Sequence, residues 1–477
     1  MIQMKKLKHS EYIEKNRNVV KKLLDAALCC FEYASILSVD SQGKNYLVKN
    51  AWKSANDQPL YCSRGHVLRF VLGGRIYEYA FSSLTDEKIP EILERAKELC
   101  ATDGIIAEEG SSYALKEEKY TLSESTEYEL DPEEYGDGRI LDRLCEIRES
   151  ALGEDSRIFD AVCFLAYKKH TKHFLSRERD MTESVMWTTA AVTSLCREGE
   201  RIKDSYRCYS NLGGVEILEK MARDGVPATV KTACELLSSE PVPAGTYDCV
   251  CSPDVTGMIV HEAFGHGVEM DMFVRDRAKA REYMGKKVAS ELVTMHDSAC
   301  AVKEAATFFF DDEGNLACDT VVIKNGILVG GMCDAIAAET LGISPTGNGR
   351  RESFDRKAYT RMTNTYFEAG EDSLEDMIGS IKYGFLLEEA RSGMEDPKNW
   401  GIQCVVAVAR EIRDGALTGK IFSPVVLTGY VPDLLQSISM MGESCELFGG
   451  GFCGKGHKEW VKVSDGGPYI KAKITLG

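Results

Sequence analysis

The chain has 477 residues, 44% of them hydrophobic and 28% charged, long enough for two to three domains with cores of their own. Its 58 Lys and Arg against 75 Asp and Glu leave a formal charge of -17. An acidic surface of this kind with no Lys/Arg block disfavours nucleic-acid binding, and no apolar run approaches the ~18 residues of a helical membrane span. The opening residues are charged and lead into a helical pattern without the apolar core of a signal peptide. Seventeen cysteines with no export signal read as reduced thiols in a cytoplasmic protein rather than a disulfide framework.

In chain order, Val19, Val20, Leu23, Leu24, Ala27 and Leu28 recur at helical spacing and predict an amphipathic helix over Asn16 to Tyr33. Strands follow at Tyr46 to Lys49 and Val67 to Leu72. Gly73-Gly74 marks a hairpin into Arg75 to Tyr79, and a second helix runs from Asp86 to Leu99. These make a first α/β unit, residues 1–112. The acidic segment Glu117 to Asp131 reads as a connection. A helix over Pro132 to Leu152 comes next. Four extended runs follow, at Ile158 to Lys168, His173 to Ser176, Ser184 to Ser194 and Ile202 to Ser210. They predict an antiparallel sheet, closed by a helix over Gly214 to Leu237, as a second unit of residues 113–240. His170 and His173, three apart among lysines, read as surface residues.

Pro241, Pro243 and Gly245 punctuate the chain before a third unit, residues 241–477. Its strands are expected at Ala306 to Phe310, Thr320 to Ile323, Ile327 to Gly330, Gln403 to Ile412 and Lys420 to Thr428. Asn325-Gly326 signals a type I′ hairpin. The Asp311 to Asn315 run reads as a hairpin turn rather than a calcium loop. The fold class expected is α+β. An N-terminal α/β region has an antiparallel sheet and packed helices; the C-terminal domain is mainly antiparallel β and carries the helix described next.

That helix holds HEAFGHGVEMD, His261 to Asp271. Zinc proteases commonly show H-E-x-x-H, which places two imidazoles one turn apart on one helix face. Here the histidines are five apart. At roughly 100° per residue that rotates the second by about 140°, so a regular α-helix cannot offer both to one metal. A π-bulge restores the alignment, and so does a helix break, which Gly265 and Gly267 make inexpensive. A catalytic zinc takes three protein ligands and a water. Candidates for the third ligand are Cys453, His457, Glu269, Asp271 and His296. Cys453 lies in GGGFCGKG, Gly449 to Gly456, where Lys455 is placed to lower the thiol pKa. In the polar loop Thr346 to Arg351, Asn348, Arg350 and Arg351 either bind substrate backbone and carboxylate or form a structural turn.

HEAFGHGVEMD, then ISPTGNGRRESF (Ile343 to Phe354), RMTNTY (Arg361 to Tyr366) and GGFCGKG, stand in the order seen in the TldD/PmbA family of zinc metallopeptidases, which the chain resembles over nearly its whole length. The family's active subunits keep H-E-x-x-x-H and the downstream Cys, so the resemblance is to the TldD type. It implies one zinc per chain on His261, His266 and Cys453, with Glu262 as general base. It also implies unfolded or modified peptides as substrates and a dimer, either of one chain or with a PmbA-like paralogue. Where the family commonly has a further residue and a Gln after Cys-Gly-Lys, this chain has Gly456-His457, which makes His457 a candidate substrate contact. A thiolate ligand donates more charge than an imidazole, so slow hydrolysis is expected. The alternative function is a non-hydrolytic zinc-containing peptide-binding or assembly subunit, and a third reading is an interaction protein without metal.

Overall fold

The structure, a computed structural model, describes residues 4–50, 52–58, 61–101, 117–455 and 458–477. The expected boundary at residue 112 and the candidate His457 lie outside these residues.

The chain is α+β, and its strands gather in two regions. In the N-terminal half one eight-stranded sheet has the order Arg201–Asn211, Arg179–Glu198, Ile158–Leu175, Tyr33–Lys49, Ser63–Leu72, Arg75–Phe81. Trp52–Asp57 pairs with the end of Tyr33–Lys49, and Tyr120–Ser125 adds in parallel to Arg179–Glu198. Strands from both sides of residue 112 thus hydrogen bond directly, Tyr33–Lys49 with Ile158–Leu175. Gly73 and Gly74 turn the expected hairpin with φ of 60° and 73°.

Strand alternation sorts this sheet into two faces. Ile36, Tyr46 and Val48 point to one side. There Val20, Leu23, Leu24 and Ala27 of helix Glu11–Leu28 and Ile92 and Ala96 of helix Ile89–Ala101 form one core. Helices Asp137–Glu154 and Val226–Leu236 form another on the same side. Leu37 and Val39 point the other way and meet Phe310 of the C-terminal half.

Several expectations are corrected. Ile158 to Lys168 and His173 to Ser176 are a single strand, Ile158–Leu175. The charges between them mark no turn, because their partners are built in. Lys169 pairs with Asp131 and Glu133, and Lys172 with Glu183 and Asp312. His173 is buried and bonds Asp180 at 2.9 Å, and His170 is half-buried, so neither is a free surface group. The acidic connection contains the strand Tyr120–Ser125. Ala306 to Phe310 is not a strand. Its Phe309 and Phe310 N–H groups donate to the buried Glu183 carboxylate at 2.7 and 3.1 Å instead of to a sheet neighbour. Lys420 to Thr428 is split into Ala416–Phe422 and Val425–Tyr430, which lie end to end along Gly401–Arg413. Pro424, without an N–H, stands at the break. Asn325 and Gly326 both have positive φ, 49° and 79°, as a type I′ turn requires. Asp311 to Asn315 forms the expected turn, closed by Asp311 N–H to Asn315 O at 2.8 Å.

In the C-terminal half, strand Gly245–Cys251 pairs in parallel with Tyr383–Asp396 and antiparallel with Ile470–Leu476. Gly401–Arg413 and Val425–Tyr430 complete the ring, so this sheet closes on itself. A six-stranded sheet lies beside it, in which Asn364–Phe367 pairs in parallel with Ser464–Gly467. The helical segment from Pro253 to Val268 is packed into the largest core by Val255, Ile259, Val260, Ala263, Phe264 and Val268.

Candidate metal centre

The segment from Pro253 starts as an α-helix to Ile259, becomes a π-helix over Val260–Gly265 and ends in a 3₁₀ turn at His266–Val268. The His266 N–H donates to the His261 carbonyl. This five-residue step brings the two imidazoles to one side, where the regular helix would hold them apart. Their ring centroids are 5.1 Å apart and the ring planes cross at 90°. Glycines allow the distortion to be packed. A Cβ on Gly265 would meet Met362 Sδ at 2.3 Å, and one on Gly257 would meet Asp465 Oδ1 and Gly466 N at 2.7 Å. The helix therefore lies against the Ser464–Gly467 strand with no room for a side chain.

Cys453 comes from the hairpin Phe452–Lys455 and Lys458–Lys462, opposite Val461. Its Sγ is 3.3 Å from His266 Nε2. One ligand atom each of His261, His266 and Cys453 lies within 4.8 Å of the others. Among the described residues this is the group of three that can hold a metal ion. Arg361, fully buried, fixes the hairpin by donating to the carbonyls of Cys453, at 2.8 Å, and Glu459. It also reaches the Glu269 carboxylate at 3.3 Å, tying the hairpin to the end of the His segment.

The charges around the group are matched. Burial opposes a charged thiolate, but the two imidazoles outweigh it and hold the Cys453 thiol well below its usual range. Burial likewise opposes protonation of His266, and the thiolate and Glu269 overcome it. Glu269 Oε2 is 3.6 Å from His266 Nδ1, and Asp465 Oδ2 is 3.8 Å from His261 Nδ1. A carboxylate behind each imidazole is the usual arrangement for orienting a metal-bound His. His261 Nδ1 is buried without a hydrogen bond. A thiolate and two imidazoles with ligand atoms within 4.8 Å of one another are a donor set suited to zinc.

Other candidate ligands have other partners. Glu269 and Asp271 accept from Lys455 Nζ at 3.1 and 2.7 Å. Lys455 is therefore spent on these carboxylates, and the imidazoles rather than Lys455 set the thiol's acidity, a correction to the expectation from sequence. His296 sits on a strand apart from the group, between Asp319 and Glu368 at 2.9 Å each. Asn348 is buried, donating to Asp297 at 2.7 Å and to the Arg361 carbonyl at 3.0 Å. Arg351 pairs with Glu78 of the N-terminal sheet. Arg350 donates to the Met362 carbonyl and lines a separate cavity.

Glu262 and His261 line a cleft of about 380 Å³ with Asp465, Asp254, Arg391 and the Gly450-Gly451 backbone. Gly393 forms its floor under Glu262: a Cβ there would lie 2.4 Å from Glu262 Cγ. Sequence reasoning missed Gly393, Asp465 and Glu395. Glu395 is a carboxyl beside Gly267 with both oxygens buried and without a hydrogen bond, and burial pushes it well above its usual pKa. Their neighbours in sequence carry no pattern, because all three reach the site by strand pairing.

A closed strand domain with a π-distorted helix and a His–His–Cys group, of which His261 lines a cleft, has the build of a metallopeptidase domain. Residues 244–476 match the PmbA/TldA metallopeptidase C-terminal domain, and the chain belongs to the TldD/PmbA family. A metalloprotease of Methanothermobacter thermautotrophicus is 32% identical over 64% of this chain and 66% of its own length. A zinc metalloprotease TldD homologue of Saccharolobus solfataricus is 27% identical over 64% of this chain and 68% of that protein. The chain spans about half to two thirds of the length of the curated relatives it matches. The crystal structure of TldE from Thermococcus kodakarensis shares the fold, with a TM-score of 0.73 over 96% of this chain and 100% of that one at 18% identity. Among the described residues no helix is long and apolar enough to cross a membrane.

Proposed function

We propose that this chain is a cytoplasmic zinc metallopeptidase that hydrolyses unfolded or modified peptides. It holds one zinc on His261, His266 and Cys453, and Glu262 is its general base. The observation that carries the reading is that Glu262, beside a ligand and not itself one, lines the cleft that His261 opens onto. A purely structural metal site has no use for a carboxylate so placed. Zinc at this site would supply Lewis acidity to a peptide carbonyl and to the attacking water. Glu262 takes the proton from that water and returns it toward the leaving amine. Asp465 and Glu269 hold the two imidazoles in orientation. The cleft's glycine backbone at Gly450-Gly451 leaves room for an extended peptide. The zinc-protease names of the relatives support the reaction class, and the fold shared with TldE supports pairing with a second copy or a PmbA-like paralogue.

The test is Glu262→Gln beside wild type, with zinc content, peptide affinity and hydrolysis of an unfolded peptide library measured on the same preparations. Zinc and affinity are expected to hold while turnover falls by at least ~10²-fold. Unchanged turnover removes Glu262 from the mechanism. Zinc and peptide binding without any wild-type hydrolysis, with a PmbA-like partner supplied, would favour the non-hydrolytic peptide-binding subunit.

A further inference from the structure

Cys196, near the end of strand Arg179–Glu198, and Cys234, in the last turn of helix Val226–Leu236, meet in the core that this helix forms on the N-terminal sheet. Their Sγ atoms are 3.3 Å apart, although the residues are 38 apart in the chain. Both are free thiols, Cys196 fully buried and Cys234 9% exposed. A disulfide needs about 2.0 Å between its sulfurs, so roughly 1.3 Å remains to be closed.

Cys234 also reaches the surface. It lines a hollow of about 410 Å³ with Asp155, Arg157, Pro227 and Lys231. Cys196 lies behind it, opposite Ile158 in the sheet. One thiol at a surface hollow with a second in contact behind it suits a two-step oxidation, in which the first sulfur meets the oxidant and the second resolves the product. Position rather than acidity qualifies the pair. Burial, and after it the Cys196 thiol, push Cys234 up to about 12 against the opposing Arg157 guanidinium. Thiolate is scarce at neutral pH, so the reaction is slow. The reduced form also lacks the thiolate stabilisation that makes some disulfides easy to reduce, so the bond persists once formed.

We propose that Cys196 and Cys234 are a reversible disulfide site, closed slowly by hydrogen peroxide and reopened by a dithiol. Cys234 Sγ attacks one peroxide oxygen. The O–O bond breaks, and the leaving hydroxide takes the thiol proton and departs as water, giving a sulfenic acid. Cys196 Sγ then attacks Cys234 Sγ. The S–S bond forms, the S–O bond breaks, and the hydroxyl leaves with the Cys196 proton as a second water. Two thiols are oxidised and one peroxide is reduced. The bond ties the helix to the strand. Glu235, next to Cys234, pairs with Arg410 of strand Gly401–Arg413 at 2.7 Å, so the tie sits where the N-terminal core meets the C-terminal half. The site shares no residue with the metal centre or its cleft, and it acts on stability whatever reaction the cleft performs.

In the test, reduced native protein is held in hydrogen peroxide for increasing times, blocked with iodoacetamide in denaturant, digested without reduction and mapped by mass spectrometry. Melting temperatures are taken on the same samples. The expected result is a peptide pair joined through Cys196 and Cys234. It accumulates more slowly than oxidation of the exposed Cys29 and disappears with dithiothreitol. It raises the melting temperature by about 5 °C or more relative to Cys196→Ala treated alike. Cys234→Ser, at the partly exposed position, replaces Cys196→Ala if that variant folds poorly, and the wild-type map needs neither. No link between Cys196 and Cys234 in folded protein whose Cys29 has been oxidised would overturn the site. So would a link that forms only after denaturation, or a fully linked protein that melts no higher than the reduced one.

Discussion

Gly393 offers a test of the Glu262 geometry that touches neither the metal ligands nor the base itself. A Cβ at Gly393 would lie 2.4 Å from Glu262 Cγ, 3.1 Å from Cδ and 3.3 Å from Cβ. Ordinary carbon contacts lie near ~3.5–4.0 Å, so in Gly393→Ala the Glu262 side chain must retreat by about 1 Å or more into the cleft. A misplacement of ~1 Å can cost ~10²-fold in rate, which is within what a general base contributes. The stability cost should be small, because Glu262 is half-buried and has open cleft beside it. The assay is kcat/KM on an unfolded peptide, with zinc content and the melting temperature recorded for the same protein. The expected result is a fall of ~10²-fold in kcat/KM with zinc at the wild-type level and the melting temperature within a few degrees. Wild-type kcat/KM in a folded, zinc-bearing Gly393→Ala protein would refute the placement of Glu262 as the base.

Removing the metal should destabilise the chain, since ligand binding at ~1,000 times Kd adds about 4 kcal/mol, on the order of 10 °C in Tm for a domain of this size. Scanning fluorimetry of chelator-treated and zinc-reloaded protein checks this, and identical melting curves would contradict a bound structural contribution from the site. Glu78 of the N-terminal sheet pairs with Arg69 on the neighbouring strand and with Arg351 of the C-terminal half. Burial favours its neutral form, but the two guanidinium groups outweigh that and hold it below the usual carboxylate range. A depressed carboxylate contributes stability above its unfolded pKa and loses it as pH falls toward the folded one. Glu78→Gln should therefore be less stable than wild type near pH 7, by about 3 kcal/mol, with the gap narrowing below pH ~4. Denaturant unfolding at pH 7 and pH 3 reads both, and a gap that grows in acid would contradict the sign.

The distortion of the His261–His266 helix was legible because its parts are local. The five-residue separation of His261 and His266 already required a π-turn or a break, and the chain takes the π-turn. The hairpin signals at Gly73-Gly74 and Asn325-Gly326 were equally local. What escaped the sequence depends on pairing between distant residues. The lysines of Ile158–Leu175 looked like a turn because their carboxylate partners lie in other segments. Ala306 to Phe310 has strand composition, yet its N–H groups are claimed by Glu183, more than a hundred residues away. Lys455 appeared to serve Cys453, two residues before it, but the fold turns it onto Glu269 and Asp271. Gly393 and Asp465 are unremarkable in sequence, and only the strands that carry them under Glu262 and behind His261 give them a role.

The central claim is that His261, His266 and Cys453 together hold one zinc. Elemental analysis of the purified wild-type protein beside Cys453→Ser addresses it most directly. The expected result is about one zinc per chain in wild type and a much lower content in the folded variant, because the serine hydroxyl replaces a thiolate whose charge the two imidazoles already stabilise. Zinc absent from wild type, or the same zinc content in Cys453→Ser, would contradict it.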